Sequence, residues 1–212
     1  MSLLPENFRA PFIPKETAWA AADRFREQHW PEGTIPVEVE ELLWPAGLRL
    51  DYVQSLRQIG DVDALLSGDL TLIHVDTEQY MDERMKNRIR FSIAHELGHF
   101  VLHADIYKNI HYTNVEEWLE FMERVPEDQY SFIEQHAHEF AGRLLVPLDF
   151  LRPRFAEAAQ AAQKAGFTAW DTSGDVAREY IAKNIARDFG VSSQVLEKRI
   201  LREGLWPPAG LT

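Results

Sequence analysis

The 212-residue chain contains no cysteine. Disulfides, thiolate zinc sites and cysteine nucleophiles are therefore excluded, and any metal must be held by His, Asp or Glu. The chain also lacks a basic excess: 22 Lys and Arg stand against 34 Asp and Glu, a formal net charge of −12. Phosphate recognition needs concentrated cations, so the composition argues against direct nucleic-acid binding and leaves room only for a small local basic patch. No apolar run approaches the roughly 18 residues of a membrane span. Met1-Ser2-Leu3-Leu4-Pro5-Glu6 has neither the basic nor the apolar region of a signal peptide. The sequence thus predicts a cytoplasmic protein without a membrane partner. With 45% hydrophobic and 26% charged residues, it has the composition of a folded domain.

Histidine is what the chain does have. Six of its eight (His95, His99, His103, His111, His136 and His138) fall within 44 consecutive residues. Around them the apolar spacing predicts an extended lead-in over 1–14, then a helix over Thr17–His29. A short second helix starts at Pro36 and ends at Pro45-Ala46-Gly47. Alternation predicts a strand over Leu48–Leu56, and Ser67-Gly68-Asp69 a hairpin turn within Asp63–Asp76. Asp82 caps a long helix reaching His103. Asn114-x-x-Glu117 opens a helix that Pro126 stops. Further helices follow over Glu127–Val146, Leu148–Lys164, Gly174–Phe189 and Ser192–Arg202. Strands followed by helices predict an α+β fold.

Residues 1–165 are expected to form one domain and 166–212 a C-terminal helical extension packed on it. Residues 185–202 have the helix, Gly-containing turn and helix of a helix-turn-helix, and Lys183–Arg202 holds five basic and two acidic residues. Against the global charge, this reads as a docking hairpin, for the protein's own core or for a repressor, rather than a DNA-binding element.

The chemistry concentrates in His95-Glu96-Leu97-Gly98-His99. On a helix, residues i and i+4 share a face, so two imidazoles can converge on one ion. Glu96 lies about 100° around the helix from His95. It is poorly placed as a co-ligand and well placed to take a proton from the attacking water. His103 continues the row, but two turns, about 12 Å, separate it from His95. It reads as a support for the ligands or a residue at the cleft mouth.

A catalytic zinc site needs a third protein ligand. Glu134 and His138 flank the apolar face of the 127–146 helix, and Glu134 is the first choice, with His138 orienting it or a ligand histidine. His136 and His138 are alternative third ligands. Ser131-x-x-Glu134 also spells a capping box that would turn Glu134 back to Ser131. Tyr107, His111, Tyr112 and Tyr130 can each supply an oxyanion donor. Six acids between Glu116 and Asp128 suit either a solvated face or a basic substrate.

Arg90-Phe-Ser-Ile-Ala-His-Glu-Leu-Gly-His-Phe-Val-Leu-His103, followed by Glu134-x-x-Ala-x-x-Phe-Ala-x-x-Leu-Leu-Val-Pro147, resembles the ImmA/IrrE-type metallo-endopeptidases over roughly residues 45–150. The resemblance implies a zincin-like fold, a small sheet on a helical half with a thermolysin-like catalytic helix pair. It implies Zn2+ held by His95, His99 and Glu134, with Glu96 as base. The implied substrate is a protein, a helix-turn-helix repressor in the family's known cases. His138 departs from the family's usual Asn or Asp, and Val146 replaces a frequent Met. The expected function is a zinc-dependent endopeptidase acting on a cytoplasmic protein. The alternative is a zinc-containing module that docks on a transcription regulator without cutting it; the intact His-Glu-x-x-His favours the enzyme.

Overall fold

The computed structural model describes residues 8–30, 32–110, 112, 114–167 and 175–208. In chain order the elements are α1 (Lys15–His29), β1 (Arg49–Val53), α2 (Leu56–Gly60), β2 (Ala64–Leu66), β3 (Leu72–Asp76), α3 (Thr77–Met81), α4 (Lys86–Leu102), α5 (Ala104–Tyr107), α6 (Val115–Glu123), α7 (Glu127–Leu145), α8 (Leu148–Lys164), α9 (Asp175–Phe189) and α10 (Ser193–Arg202). The fold is α+β, as the order of patterns predicts.

The sheet has the order β1-β3-β2. β1 runs parallel to β3, from Arg49 opposite Leu72 to Val53 opposite Asp76. β2 runs antiparallel to β3, with Ala64 opposite Val75 and Leu66 opposite Ile73. Ile73, Val75 and Leu66 are buried with Ile89, Ile93 and Leu97 of α4, whose spacing of four gives that helix one apolar face. Phe140, Ala141 and Leu144 of α7 complete the same core. α1 enters it through Ala21, Ala22 and Phe25, which with the buried Ala18 stand at i, i+3, i+4 and i+7.

α4 and α7 touch closely at Gly98. A Cβ there would lie 2.9 Å from Ala137 Cα and 3.0 Å from its carbonyl oxygen. Only glycine lets these two helices come so near, and that approach is what brings their polar edges together. Behind α4, the buried Arg90 donates to the Val37 carbonyl at 2.6 Å and the Gly190 carbonyl at 3.2 Å. The helix is thereby tied to segments from both halves of the chain.

α9 and α10 put Ile181, Ile185, Phe189, Leu196 and Ile200 into the main core. Three basic residues of this stretch serve internal pairs: Arg199, 3% exposed, meets Glu203, Arg202 meets Glu139 at 2.9 Å and Lys183 meets Glu179 at 2.7 Å.

Several local expectations are corrected. No helix starts at Pro36; a single 3-10 turn forms at Val39–Leu42. Glu38, just before that turn, is extended (φ −77°, ψ 90°), so the helix cannot run back to Pro36. The strand expected over 48–56 stops at Val53, because Ser55 turns left-handed (φ 59°) and α2 begins at Leu56. Asp82 caps a 3-10 turn rather than α4 itself, accepting from Arg84 N–H at 3.0 Å. Ser131 stands inside α7, which starts at Glu127 after Pro126, so the capping box it spells is not formed. Asn114 does cap α6, accepting from Glu117 N–H at 2.9 Å. Part of the lead-in (1–7), His111 and Gly174 lie outside the described residues.

Candidate metal centre and catalytic cleft

α4 presents His95 and His99 one turn apart, and α7 lies alongside with Glu134 facing both. His95 Nε2 and His99 Nε2 are 3.0 Å apart. The Glu134 oxygens lie 3.2 Å from His95 Nε2 and 3.3 Å from His99 Nε2. Bonds of about 2.0–2.1 Å in a tetrahedral zinc site put neighbouring ligand atoms about 3.3 Å apart. Two imidazoles and a carboxylate that converge at this separation fit a metal ion. Among the described residues they form the one cluster of at least three His, Asp or Glu with metal-ligand spacing.

The site's own charges agree. Burial pushes the Glu134 carboxyl up, but hydrogen bonds and charge from His95 and His99 outweigh it and hold it well below the usual carboxylate range. Burial pulls His95 down, yet Glu134 and Glu96 more than compensate, and His95 is raised. His95 Nδ1 is buried without a hydrogen-bond partner among the described residues.

Glu96 is 7% exposed. Its Oε2 accepts from Leu66 N–H at 2.8 Å, which ties α4 to β2. Burial raises its pKa, against the lowering effect of His99 and His95. Ser67 N–H donates to Leu72 C=O and Asp76 N–H to Asp63 C=O, so residues 63 and 67 turn toward β3. Ala64 and Leu66 turn their backbone groups the other way. Leu66 C=O accepts from Tyr112 O–H. Ala64 lines a cleft of about 320 Å³ shared with the metal cluster, Glu96, Phe91 and, from α6, Trp118.

Tyr107 and Tyr130 also line this cleft. Tyr107 is 5% exposed, and its hydroxyl makes no hydrogen bond among the described residues. Burial, followed by the charge of Glu96, raises its pKa well above the ordinary value, so it remains an O–H donor. Tyr130 is raised by burial and by Glu134 and Glu96. Tyr112 gives its hydroxyl to Leu66 instead.

The remaining histidines separate. His138 lies beside the cluster, its ring edge-on to His95 at 4.5 Å. Its Nδ1 bonds the Glu134 backbone carbonyl at 2.8 Å, not the carboxylate. His103 is 1% exposed, well inside the protein rather than at the mouth, and its Nδ1 faces His99 Nδ1 at 3.1 Å. Its Nε2 faces His136 Nδ1 at 3.3 Å. His136 therefore points away from the cluster. The row of His95, His99 and His103 at four-residue spacing announced the His99–His103 contact. Nothing in the spacing announced the His103–His136 pair, or the roles of Leu66 and Trp118, which depend on how distant segments meet.

Residues 80–201 match the model of the peptidase M78 family, the IrrE N-terminal-like domain. No curated protein matches the chain. The matched span holds α4 and α7 together with His95, Glu96, His99 and Glu134 and covers more than half of the sequence. The chain belongs to the peptidase M78 family, a family of metallopeptidase type.

Proposed function

We propose that the protein is a zinc-dependent endopeptidase whose substrate is a cytoplasmic protein, with a helix-turn-helix transcriptional repressor as the class the family resemblance favours. The observation that carries this reading is the convergence of His95, His99 and Glu134 beside the buried Glu96 carboxylate in one cleft. A zinc ion held by those three would polarise the scissile carbonyl and acidify the attacking water.

The chain's own residues do the rest. An extended substrate segment adds to the outer edge of β2, where Ala64 offers its outward backbone groups. Glu96 takes a proton from the attacking water and delivers it to the leaving amine nitrogen. Its raised pKa suits it to both transfers. The Tyr107 and Tyr130 hydroxyls donate to the oxygen that gains charge as water adds to the carbonyl carbon. Glu116, Glu117, Glu120, Glu123, Glu127 and Asp128 are all exposed, an acidic flank suited to a basic substrate.

The test is digestion of candidate repressors by the zinc-loaded protein, with Glu96→Gln as control. Site-specific cuts by the wild type alone support the reading. A stoichiometric complex that stays uncut would establish the docking module in its place.

A further inference from the structure

His99, His103 and His136 form a continuous row of imidazole contacts. His99 Nδ1 meets His103 Nδ1 at 3.1 Å, and His103 Nε2 meets His136 Nδ1 at 3.3 Å. All three rings are buried, at 2%, 1% and 7% exposure. The row starts at a candidate ligand on α4 and crosses to α7. It ends at His136, which lines a groove between residues 10–18 and α7, separate from the catalytic cleft.

Each nitrogen–nitrogen contact needs one N–H and one lone pair, since two lone pairs or two N–H groups repel. Neutral rings can therefore satisfy both contacts in only two ways. In one, protons point from His136 toward His99, which leaves His99 with a proton on Nε2. In the other, His99 Nδ1–H donates to His103 Nδ1, and His103 Nε2–H donates to His136 Nδ1. Only the second leaves a lone pair on His99 Nε2, the atom 3.3 Å from Glu134 and 3.0 Å from His95 Nε2.

We propose that His103 and His136 are positioning residues for the metal centre: they hold His99 in its Nδ1–H tautomer and fix the plane of its ring. A histidine pair thus does here what a carboxylate or a backbone carbonyl does for many metal-binding histidines. His95 has no such support, because its Nδ1 lacks a partner among the described residues. The row therefore acts on one ligand of the three.

The inference rests on the metal reading above and does not need the peptidase reading. It is tested on the full-length, zinc-loaded chain by long-range 15N–1H NMR of the histidine rings. His103 and His136 are expected to carry their protons on Nε2, with Nδ1 unprotonated; a proton on Nδ1 of either ring overturns the proposal. This measurement uses the wild type and needs no variant to fold. Zinc affinity, measured by competition with a chromophoric chelator, supplies the second arm. His136→Leu removes the acceptor and should weaken binding by about tenfold, the low end for residues that support a ligand. His136→Asn places an amide oxygen where Nδ1 stood and should restore affinity. Equal affinity in both variants, whether lost or retained, overturns the proposal. A wild type that takes up no zinc overturns this inference and the metal reading together. One that binds zinc yet cuts nothing overturns only the peptidase reading.

Discussion

Glu96 and Leu66 are joined by a 2.8 Å hydrogen bond from the strand's N–H to the carboxylate, so the residue proposed as base also fastens α4 to the edge strand. The two roles can be separated. Glu96→Gln keeps an acceptor for Leu66 while removing the base. Its melting temperature and zinc affinity should stay near wild type, while kcat/KM for peptide hydrolysis falls by at least about 10²-fold. Glu96→Ala also strands the Leu66 N–H, adding a stability loss of about 1–3 kcal/mol by thermal melting. Wild-type cleavage by Glu96→Gln would remove Glu96 from the mechanism.

Gly98→Ala tests the helix crossing. The added Cβ would stand 2.9 Å from Ala137 Cα, a backbone atom that cannot move without shifting α7. Overpacking of this kind costs about 1–3 kcal/mol. Because Glu134 rides on α7 three residues before Ala137, the shift should also loosen the ligand set and weaken zinc binding. A stable variant with unchanged zinc affinity would show that the crossing has slack and that the glycine does not set the ligand spacing.

The helical half was legible because its signals are local. His-Glu-x-x-His places two rings on one helix face by spacing alone, and the apolar stripes of α4 and α7 set which faces are buried. The neighbourhood of the sheet was less legible. Asp76 accepts from Arg57 N–H at the start of α2 and from Gln79 N–H at the start of α3, both at 2.9 Å. One carboxylate caps two short helices, one of them nineteen residues away in sequence, which no local pattern reveals. The third ligand was open between Glu134, His136 and His138 because side-chain direction depends on how α7 lies on α4. Their crossing turns Glu134 to the cluster and His136 to His103.

Metal uptake should be linked to pH through His95. Its pKa is raised in the metal-free protein, so protons compete with the metal until the pH exceeds that raised value. For the metal-free fold, a raised His95 contributes stability that is complete below its unfolded value of 6.5 and is lost as pH rises through the folded value. The depressed Glu134 contributes above its unfolded 4.5 and is lost as pH falls through the folded value. Their pair thus contributes most between those two unfolded values. His103, pulled down to about 2 by burial and then by His99, opposes this at the acid end: its contribution is complete above 6.5 and declines as pH falls. The expected result is a rise in melting temperature on adding zinc that is larger at pH 8 than at pH 6. A rise that does not depend on pH would mean that His95 is already neutral before the metal arrives.

Glu203 locks α10 onto the body of the protein. Its side chain is 5% exposed and accepts from Arg143 at 2.7 Å. It also pairs with Arg199, whose side chain is 4% exposed and whose guanidinium lies over the Trp19 ring at 4.8 Å. Burial, and then the charge of Arg143, lower the Arg199 pKa to about 10, which still leaves it charged at neutral pH. Arg143 keeps Asp23 as a second partner. Without Glu203, the nearest carboxylate to Arg199 among the described residues is Glu139, at 3.8 Å. Removing one member of a buried pair typically costs about 3–5 kcal/mol, because the other charge is left uncompensated. Glu203→Ala should therefore lower stability on that scale in urea unfolding. Lys183→Ala breaks the exposed pair with Glu179 and should cost no more than about 0.5 kcal/mol. If the two variants unfold at the same urea concentration, the buried Glu203 pairs contribute no net stability to the docking of α10.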